Sequence, residues 1–195
     1  MSGWQVCAAA PDAVQDPASP SLAWGAPSEG PATTAAAMLR TTGAFGLDAP
    51  APARRFDAED WWFRAQLPAV DLAPGDELVL HLDGIATVAE VWLDGVLLLE
   101  SDNMFRSHER VLQGSGGQLV IRCRALDKAL GARRPRPRWK APMIENQQLR
   151  WFRTTLLGRT PGWSPPAAAV GPWRGVRLER RRGLVVEDLS LHTAI

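Results

Sequence analysis

The sequence has no Tyr, two Cys and two Lys among its 195 residues, and these scarcities exclude several kinds of protein. Cys7 and Cys123 lie far apart, which favours two free thiols in a reducing cytoplasm over a disulfide scaffold. No apolar run approaches the roughly 18 residues of a membrane-spanning helix, so we expect no membrane partner. The first residues lack the basic and apolar segments of a secretory signal, which again indicates a cytoplasmic protein.

The composition is that of a globular chain, with 46% hydrophobic and 22% charged residues, and the length predicts one domain or at most two. The net charge of +1 conceals an asymmetry. Residues 1–100 carry four Arg against 14 Asp or Glu, whereas residues 101–195 carry 18 Lys or Arg against seven. The two halves can therefore attract each other or face different partners, and the abundance of Arg indicates structural ion pairs.

Alternating apolar residues dominate the chain from Trp61 onward, as half-buried strands require. Phe63 faces the same side as Ala65 and Leu67, and the pair Asp94-Gly95 lies between two such runs as a hairpin turn. One short helix is expected over residues 33–40, with a Thr as its N-cap. The pattern predicts an all-β sandwich with strands over 61–67, 78–82, 89–93, 96–99, 119–125, 176–179 and 189–191.

A long segment, residues 128–172, lacks this alternation and is rich in Arg, Trp and Pro. Segments of this length inside a compact domain are usually functional or disordered, and its tryptophans argue against disorder. Trp61, Trp62 and Trp92 are predicted to be core residues. For the tryptophans of the long segment, core packing and stacking on a ligand both stay open; these are Trp139, Trp151 and Trp163.

The residue types that bind metals or perform acid–base chemistry are few. His81, His108 and His192 stand at no metal-ligand spacing with the cysteines, so we expect no metal and no cofactor, and His81 is predicted to be a surface or partly packed residue. The carboxylates of residues 57–60 and 76–77 are dense. A glycosidase needs two opposed carboxylates across a cleft, however, and we expect these to be solvated acids where strands begin.

Two ligand classes remain. The basic segment 133–140 with its tryptophan has the composition of a nucleic-acid groove, or of a loop whose arginines pair with the acidic first half. The pI of 7.9 is well below the ~9 of nucleic-acid-binding domains, so we expect no nucleic-acid partner. Flat aromatic faces beside Asn, Gln, Asp and Arg are what a carbohydrate pocket needs.

Specific strings strengthen the carbohydrate interpretation. From about Trp24 to Glu179 the chain resembles the N-terminal sugar-binding domain of glycoside hydrolase family 2, in particular its β-mannosidase-like members. The most specific stretch is L-D-G-I-A-T-V-A-E-V-W-L-D-G (82–95), followed by S-D-N-M-F (101–105). Further matching stretches are W-G-A-P-S-E-G-P-A-T-T-A-A-A-M-L-R (24–40), D-A-E-D-W-W-F-R (57–64) and V-G-P-W-R-G-V-R-L-E (170–179).

The resemblance implies a jelly-roll β-sandwich of the galactose-binding-domain type, with one short N-terminal helix and the long Arg/Trp/Pro-rich loop. An irregular lead-in would occupy residues 1–23, and the jelly roll would occupy residues 24–182. Residues 183–195 would begin a following immunoglobulin-like domain.

The resemblance also implies a site. The family's Asn at position 103 reaches into the active site of a downstream barrel and helps to hold the sugar, with Asp102 beside it; alternatively, Asn103 only hydrogen-bonds the tight turn after the hairpin. Ser164 stands in a loop where β-mannosidases have Asp, which departs from their pattern for mannose selectivity. The other expected sugar contacts are the stacking Trp163 and the polar Asn146, Gln147, Arg150 and Arg153.

The implied function is that of an accessory domain in an exo-glycosidase that hydrolyses a β-linked mannoside or a related sugar. Family enzymes continue into an immunoglobulin-like domain and a (β/α)₈ barrel, whose two glutamates lie about 5–5.5 Å apart for retaining hydrolysis. The family's N-E-P string is absent, so we expect no catalytic residue within these 195 residues. The alternative is a stand-alone carbohydrate-binding module without hydrolytic activity.

Overall fold

The computed structural model describes residues 3–27, 34–35, 55–135, 138–164, 166–183, 185–186 and 188–193. These residues form ten antiparallel strands, which confirms the predicted all-β class. The strands are β1 (Gln5–Ala9), β2 (Asp60–Leu67), β3 (Asp76–Leu82), β4 (Ile85–Ala86), β5 (Ala89–Leu93), β6 (Val96–Ser101), β7 (His108–Val111), β8 (Gly117–Cys123), β9 (Gly171–Pro172) and β10 (Val176–Arg182). The described helical segments are α1 (Leu126–Leu130) and the 3-10 helices Phe56–Ala58 and Gln147–Trp151.

Two sheets enclose the main core. One has five strands in the order β1-β2-β8-β5-β6, the other has three in the order β10-β3-β7, and β4 pairs with β9. Phe63 of β2 lies opposite Ile121 of β8, and both side chains pack in one buried cluster with Leu80 of β3. Because successive side chains of a strand point to opposite faces, Arg64 and Gln66 are directed out of this core as predicted.

The turn between β5 and β6 is the one that the sequence predicted. Asp94 and Gly95 both have positive φ, 48° and 79°, which is the backbone conformation of a two-residue hairpin turn. The side chain of Asp94 also accepts the backbone N–H of Gln118, 2.7 Å away, so the turn is tied to the neighbouring β8.

The outer face of the five-stranded sheet carries a second apolar cluster. Trp62 and Trp92 stack there with ring centroids 5.6 Å apart, under Val14 and Leu22 from the beginning of the chain. The described part of the predicted irregular lead-in, residues 3–23, differs from that prediction, because β1 pairs with β2 and the segment after it covers the sheet. All three tryptophans predicted to be core residues are buried: Trp61, Trp62 and Trp92.

A buried arginine joins this covering segment to the sheet. Arg122 of β8 is 1% exposed, and its Nη2 lies 2.6 Å from Oδ2 of Asp60 and 2.7 Å from Oδ1 of Asp12. Its Nη1 lies 3.2 Å from Oε2 of Glu90, and Asp60 Oδ1 accepts the backbone N–H of Ala125. Every charge around Arg122 thus has an opposite charge or an amide beside it.

The prediction that the dense carboxylates are solvated is wrong for three of them. Asp60 pairs with Arg122, Asp57 accepts two hydrogen bonds from Arg159, at 2.6 and 2.7 Å, and Asp76 pairs with Arg180. The Arg partners lie far along the chain, in its basic half, so local sequence gives no sign of them. In each of these pairs, a carboxylate of the acidic first half binds an arginine of the basic second half.

His81 is more buried than we predicted. The ring is 3% exposed in the middle strand of the three-stranded sheet, with Nδ1 3.1 Å from Glu109 on one side and Nε2 2.6 Å from Glu179 on the other. The hydrogen bond with His81 is the main cause that lowers the pKa of Glu179. His81 is a structural residue that joins three adjacent strands.

Both cysteines are buried free thiols, as predicted. Burial raises the pKa of the Cys7 thiol to about 11 and that of Cys123 higher still, so neither is a thiolate near neutral pH. The cytoplasmic location inferred from them stays a prediction.

The helix predicted over 33–40 lies outside the described residues, except for residues 34–35. The alternation of Leu189 and Leu191 does not produce a strand, and both side chains are exposed, by 73% and 83%.

Within the described ranges, no helix is long and apolar enough to cross a membrane, and no three His, Cys, Asp or Glu residues are placed to hold a metal ion.

Candidate functional site

Asn103 lies in the turn that follows β6. Its side-chain Oδ1 accepts the backbone N–H of Phe105, 3.0 Å away, and its backbone carbonyl accepts the N–H of Arg106. The short Asn side chain fits this position because it can hydrogen-bond the backbone two residues on. The turn interaction that was our alternative for Asn103 is therefore present.

The next residue, Met104, also stabilises the turn, and its side chain is buried, with 1% exposed. The Met104 N–H donates to the carbonyl of Arg153 at 3.0 Å, and Asn103 and Arg153 form a parallel bridge. The Met104 sulfur accepts the N–H of Thr155 at 2.9 Å. The residues of the long loop around position 153 are thus joined directly to the turn.

A third segment reaches the same point from the connection between β9 and β10. Trp173 Nε1 donates to the Met104 carbonyl at 2.7 Å, and the Trp173 ring meets Phe105 edge-on, with centroids 6.0 Å apart. Gly84 permits this close approach. A Cβ at that position would lie 2.6 Å from Trp173 Nε1 and 2.8 Å from the Met104 carbonyl oxygen.

His108 completes the support of the turn from the β7 side. Its Nε2 lies 3.0 Å from the Ser101 hydroxyl, which in turn contacts the Asn103 backbone. Burial, followed by the positive charges of Arg110 and Arg106, lowers the pKa of His108, so the ring is neutral at pH 7.

A few polar groups and one apolar ring stay available at this turn. Within the part of the chain that the structure describes, the Asn103 amide Nδ2 has no hydrogen-bond partner, and neither has the exposed carboxylate of Asp102. Arg153, whose side chain is exposed, pairs with Asn103 through the backbone bridge, and Phe105 is 50% exposed. An amide donor, a carboxylate acceptor and an apolar ring in one place are suited to a sugar, with its hydroxyl groups and apolar ring face.

The other predicted polar residues lie on the 3-10 helix Gln147–Trp151, two residues before Arg153 in the chain. Asn146 caps this helix by accepting the N–H of Gln148. Gln147 Nε2 donates to the carbonyls of Ala141 and Ile144, and its Oε1 accepts from Arg150. Gln147 and Arg150 therefore use their polar atoms to hold the long loop together.

Trp163 and Ser164 stand on a different part of the long loop. Trp163 is 75% exposed, and Ser164 Oγ accepts the N–H of Gly158 at 2.8 Å. Ser164 lines a cavity of about 340 Å³ together with Phe56, Leu149 and Arg159, and we call this cavity the first cleft. The structure thus groups Asn103 with Asp102 and Arg153, and leaves Trp163 outside that group.

The first cleft also contains carboxylates, namely Asp57, Asp127 and Glu145. Asp57 is held by two hydrogen bonds from Arg159, and Asp127 pairs with Arg55 at 2.8 Å. Burial raises the pKa of Asp127. Two of the three carboxylates are thus ion-paired with arginines that line the same cleft.

Sequence reasoning missed the residues that fix Asn103. Met104, Trp173 and Gly84 come from three separate segments, and their contacts become visible only in the folded chain. The strings that contain them were matched through the resemblance, whose motif covers positions 82–95, 101–105 and 170–179, but no local pattern indicates that they meet.

Comparison with known proteins gives the family. Residues 46–174 match the family model described as "Glycosyl hydrolase 2 galactose-binding domain-like". Beta-mannosidase B of Thermothelomyces thermophilus is 33% identical over 129 residues, which cover 61% of this chain and 15% of that protein. Beta-mannosidase B of Aspergillus oryzae is 29% identical over 135 residues, covering 65% of this chain and 16% of that protein.

Solved structures agree on the fold. The β-D-mannosidase of Dictyoglomus thermophilum superposes over 92% of this chain and 22% of its own, with a TM-score of 0.66 at 21% identity. An exo-chitosanase of Amycolatopsis orientalis superposes over 92% of this chain and 20% of its own, with a TM-score of 0.57 at 19% identity. The chain spans about 15–16% of the length of the curated relatives it matches. It belongs to the galactose-binding-like domains of glycosyl hydrolase family 2, which are accessory domains of glycoside hydrolases.

Proposed function

We propose that this domain forms one wall of the sugar pocket in an exo-glycosidase of the β-mannosidase type, and that the Asn103 side-chain amide is its direct contact with the sugar. The observation that carries the proposal is that the two polar atoms of the Asn103 side chain differ in their hydrogen bonding. Oδ1 is bound to the Phe105 N–H, while Nδ2 has no partner among the described residues. Because the turn fixes the amide beforehand, little ordering is needed when a hydroxyl oxygen binds.

The relatives support the choice of substrate, since the curated proteins that match over most of the domain are named beta-mannosidase B. The catalytic glutamates would come from a barrel of the same enzyme, with an immunoglobulin-like domain between the two. In this arrangement the present domain binds and orients the sugar, and it excludes water from one side of the pocket.

The activity itself can be tested on the protein purified from its own cells with an antibody against this domain. We expect that protein to hydrolyse p-nitrophenyl β-mannoside faster than the β-galactoside and the β-glucosaminide. Residues 1–195 alone should hydrolyse none of them, because they lack the two glutamates. Hydrolysis by residues 1–195, or a purified protein inactive on all three glycosides, would contradict the proposal.

A stand-alone carbohydrate-binding module is the second candidate, and the exposed aromatic rings favour it. Trp139, Trp151 and Trp163 are 61%, 43% and 75% exposed, although aromatic side chains are usually buried. Calorimetry of residues 1–195 with mannose, galactose and short neutral β-linked oligosaccharides separates the two functions. A module would bind one of them with a dissociation constant of about 1 mM or lower, whereas one wall of a shared pocket would bind far more weakly.

A further inference from the structure

A second cleft, of about 450 Å³, shares the lining residue Asn146 with the first. Its walls come from the long loop and include four positively charged side chains, Arg134, Arg138, Lys140 and Arg150. The remaining described lining residues are neutral: Pro135, Trp139, Asn146, Gln147 and Gln148. A carboxylate is therefore absent from the described walls of this cleft.

Among the described residues, none of the four charged side chains of the cleft forms an ion pair with a carboxylate. Buried arginines of this protein typically have carboxylate partners, such as Arg122 with Asp60 and Arg159 with Asp57. Arg138 and Lys140, in contrast, contact no carboxylate among the described residues. A concave surface with charge of one sign attracts ligands of the opposite sign.

The cleft also presents a fixed aromatic ring. Trp139 is 61% exposed, yet Arg150 holds it in place. Nη1 of Arg150 donates to the Trp139 carbonyl at 2.8 Å, and the guanidinium lies 4.1 Å from the ring centroid. Arg150 is itself held by the carbonyl of Gln147, 2.6 Å from its Nε. A ring fixed in this way loses little conformational entropy when a ligand packs against it.

We propose that the second cleft binds an acidic oligosaccharide, in which carboxylate- or sulfate-bearing sugar units contact Arg138 and Lys140 while a sugar ring packs against Trp139. The guanidinium group matches the geometry of such anions, and the ammonium group of Lys140 adds a further charge. The choice of a saccharide rests on the proposed carbohydrate function. Nucleic acid fits less well, because the pI of 7.9 is below the ~9 of nucleic-acid-binding domains.

The test uses residues 1–195 in about 50 mM salt, where charge-dependent binding is strong. The probes are trigalacturonate, a chondroitin sulfate tetrasaccharide, neutral mannotriose and hexathymidylate, and tryptophan fluorescence reports binding. We expect at least one acidic saccharide to bind about tenfold or more tightly than mannotriose. Because the sequence has two asparagines, ¹⁵N-Asn labelling resolves them by NMR. The side-chain amide signal of Asn146, which lines the cleft, should shift when the saccharide binds, and that of Asn103 should not.

Variants locate the site. The double substitution Arg138→Gln with Lys140→Gln should weaken binding of the acidic saccharide about tenfold or more, and Trp139→Ala should weaken it as well. The matched control is Arg177→Gln with Arg182→Gln, which removes the same charge from exposed positions of β10. This control should change the dissociation constant less than about twofold.

Equal binding of mannotriose, tighter binding of hexathymidylate, no binding of either acidic saccharide, or equal effects of the two double variants would each overturn the proposal. These outcomes are distinct from a failure of the proposed glycosidase function. Hydrolysis of a neutral mannoside does not involve the second cleft, and it should be the same with and without the substitutions at Arg138 and Lys140.

Discussion

Replacing Arg122 with Met should lower the free energy of unfolding by about 3–5 kcal/mol. The substitution keeps much of the side-chain volume but leaves Asp60, which is 1% exposed, without its charged partner. Asp12 and Glu90 lose a contact at the same time, and with Asp12 the covering segment loses a connection to the sheet. For a domain of this size the melting temperature should fall by about 10 °C.

Arg124→Met is the matched control for this substitution. Arg124 lies two residues further along and also contacts Asp12 and Glu90. It is 42% exposed, however, with Nη2 3.0 Å from Asp12. Solvent screens such pairs, so the control should cost less than about 1 kcal/mol. Denaturant unfolding of both variants measures the difference. Equal losses for Arg122→Met and Arg124→Met would show that the buried pair does not hold this face together.

Acid should weaken the connection that Asp12 makes between the covering segment and the sheet. A hydrogen bond from Lys128 is the main cause that lowers the pKa of Asp12 to about 2. A carboxyl group whose pKa is lower in the folded state stabilises the fold above the pKa of the unfolded chain. This stabilisation is lost as the pH falls from about 4 towards 2. Replacing Asp12 with Asn should therefore reduce the dependence of stability on pH in that range.

Gly84→Ala should be the second severe substitution, with a loss of about 2–4 kcal/mol. The added methyl group would have to displace the Trp173 ring or the Met104 backbone, so the hydrogen bond between them should break. Because Met104 follows Asn103 directly, the sugar contact should be displaced too. In the enzyme that carries this domain, kcat/KM for a β-mannoside should fall along with stability.

Gly131→Ala is the control, since Gly131 has an ordinary helical conformation with φ of −70°. An added Cβ there would lie 3.3 Å from its nearest neighbour, the Lys128 carbonyl oxygen, in place of the 2.6 and 2.8 Å contacts at Gly84. Its effect should be within about 0.5 kcal/mol. Combining Gly84→Ala with Trp173→Phe removes one of the two clashing atoms and should recover part of the lost stability. If Gly84→Ala melts at the same temperature as the parent protein, the close packing around Met104 is not what fixes the turn.

The sequence predicts well those strands whose two faces differ. β2 was predicted because Phe63, Ala65 and Leu67 pack on the main core and alternate with the polar Arg64 and Gln66. β1 was missed because its five residues are small or partly buried throughout. β7 was missed because His-Glu-Arg-Val at the edge of the three-stranded sheet has no apolar period. The alternation of Leu189 and Leu191 predicted a strand that the structure does not contain, since a strand also needs a pairing partner.

The residues of the candidate site also differ in how well the sequence predicts them. Asn103 and its neighbour Asp102 were predicted through the family resemblance of the stretch 101–105, and their contact with a sugar stays a prediction. The residues that hold the turn are brought together from positions 84, 153–155 and 173, and the pairing of Asp57 with Arg159 spans 102 residues. Such contacts depend on the tertiary fold, so a single sequence indicates their residue types but not their partners.

The most direct test of the account is the catalytic effect of Asn103→Asp in the enzyme that carries this domain. Asp keeps the oxygen that accepts the Phe105 N–H and removes the amide donor, so the turn should persist with an unchanged melting temperature. We predict that kcat/KM for p-nitrophenyl β-mannoside falls about tenfold to a hundredfold, or about 1.4–2.7 kcal/mol, while the neighbouring Asp102→Asn has a much smaller effect. Unchanged kcat/KM in Asn103→Asp would contradict the account and leave Asn103 with its role in the turn alone.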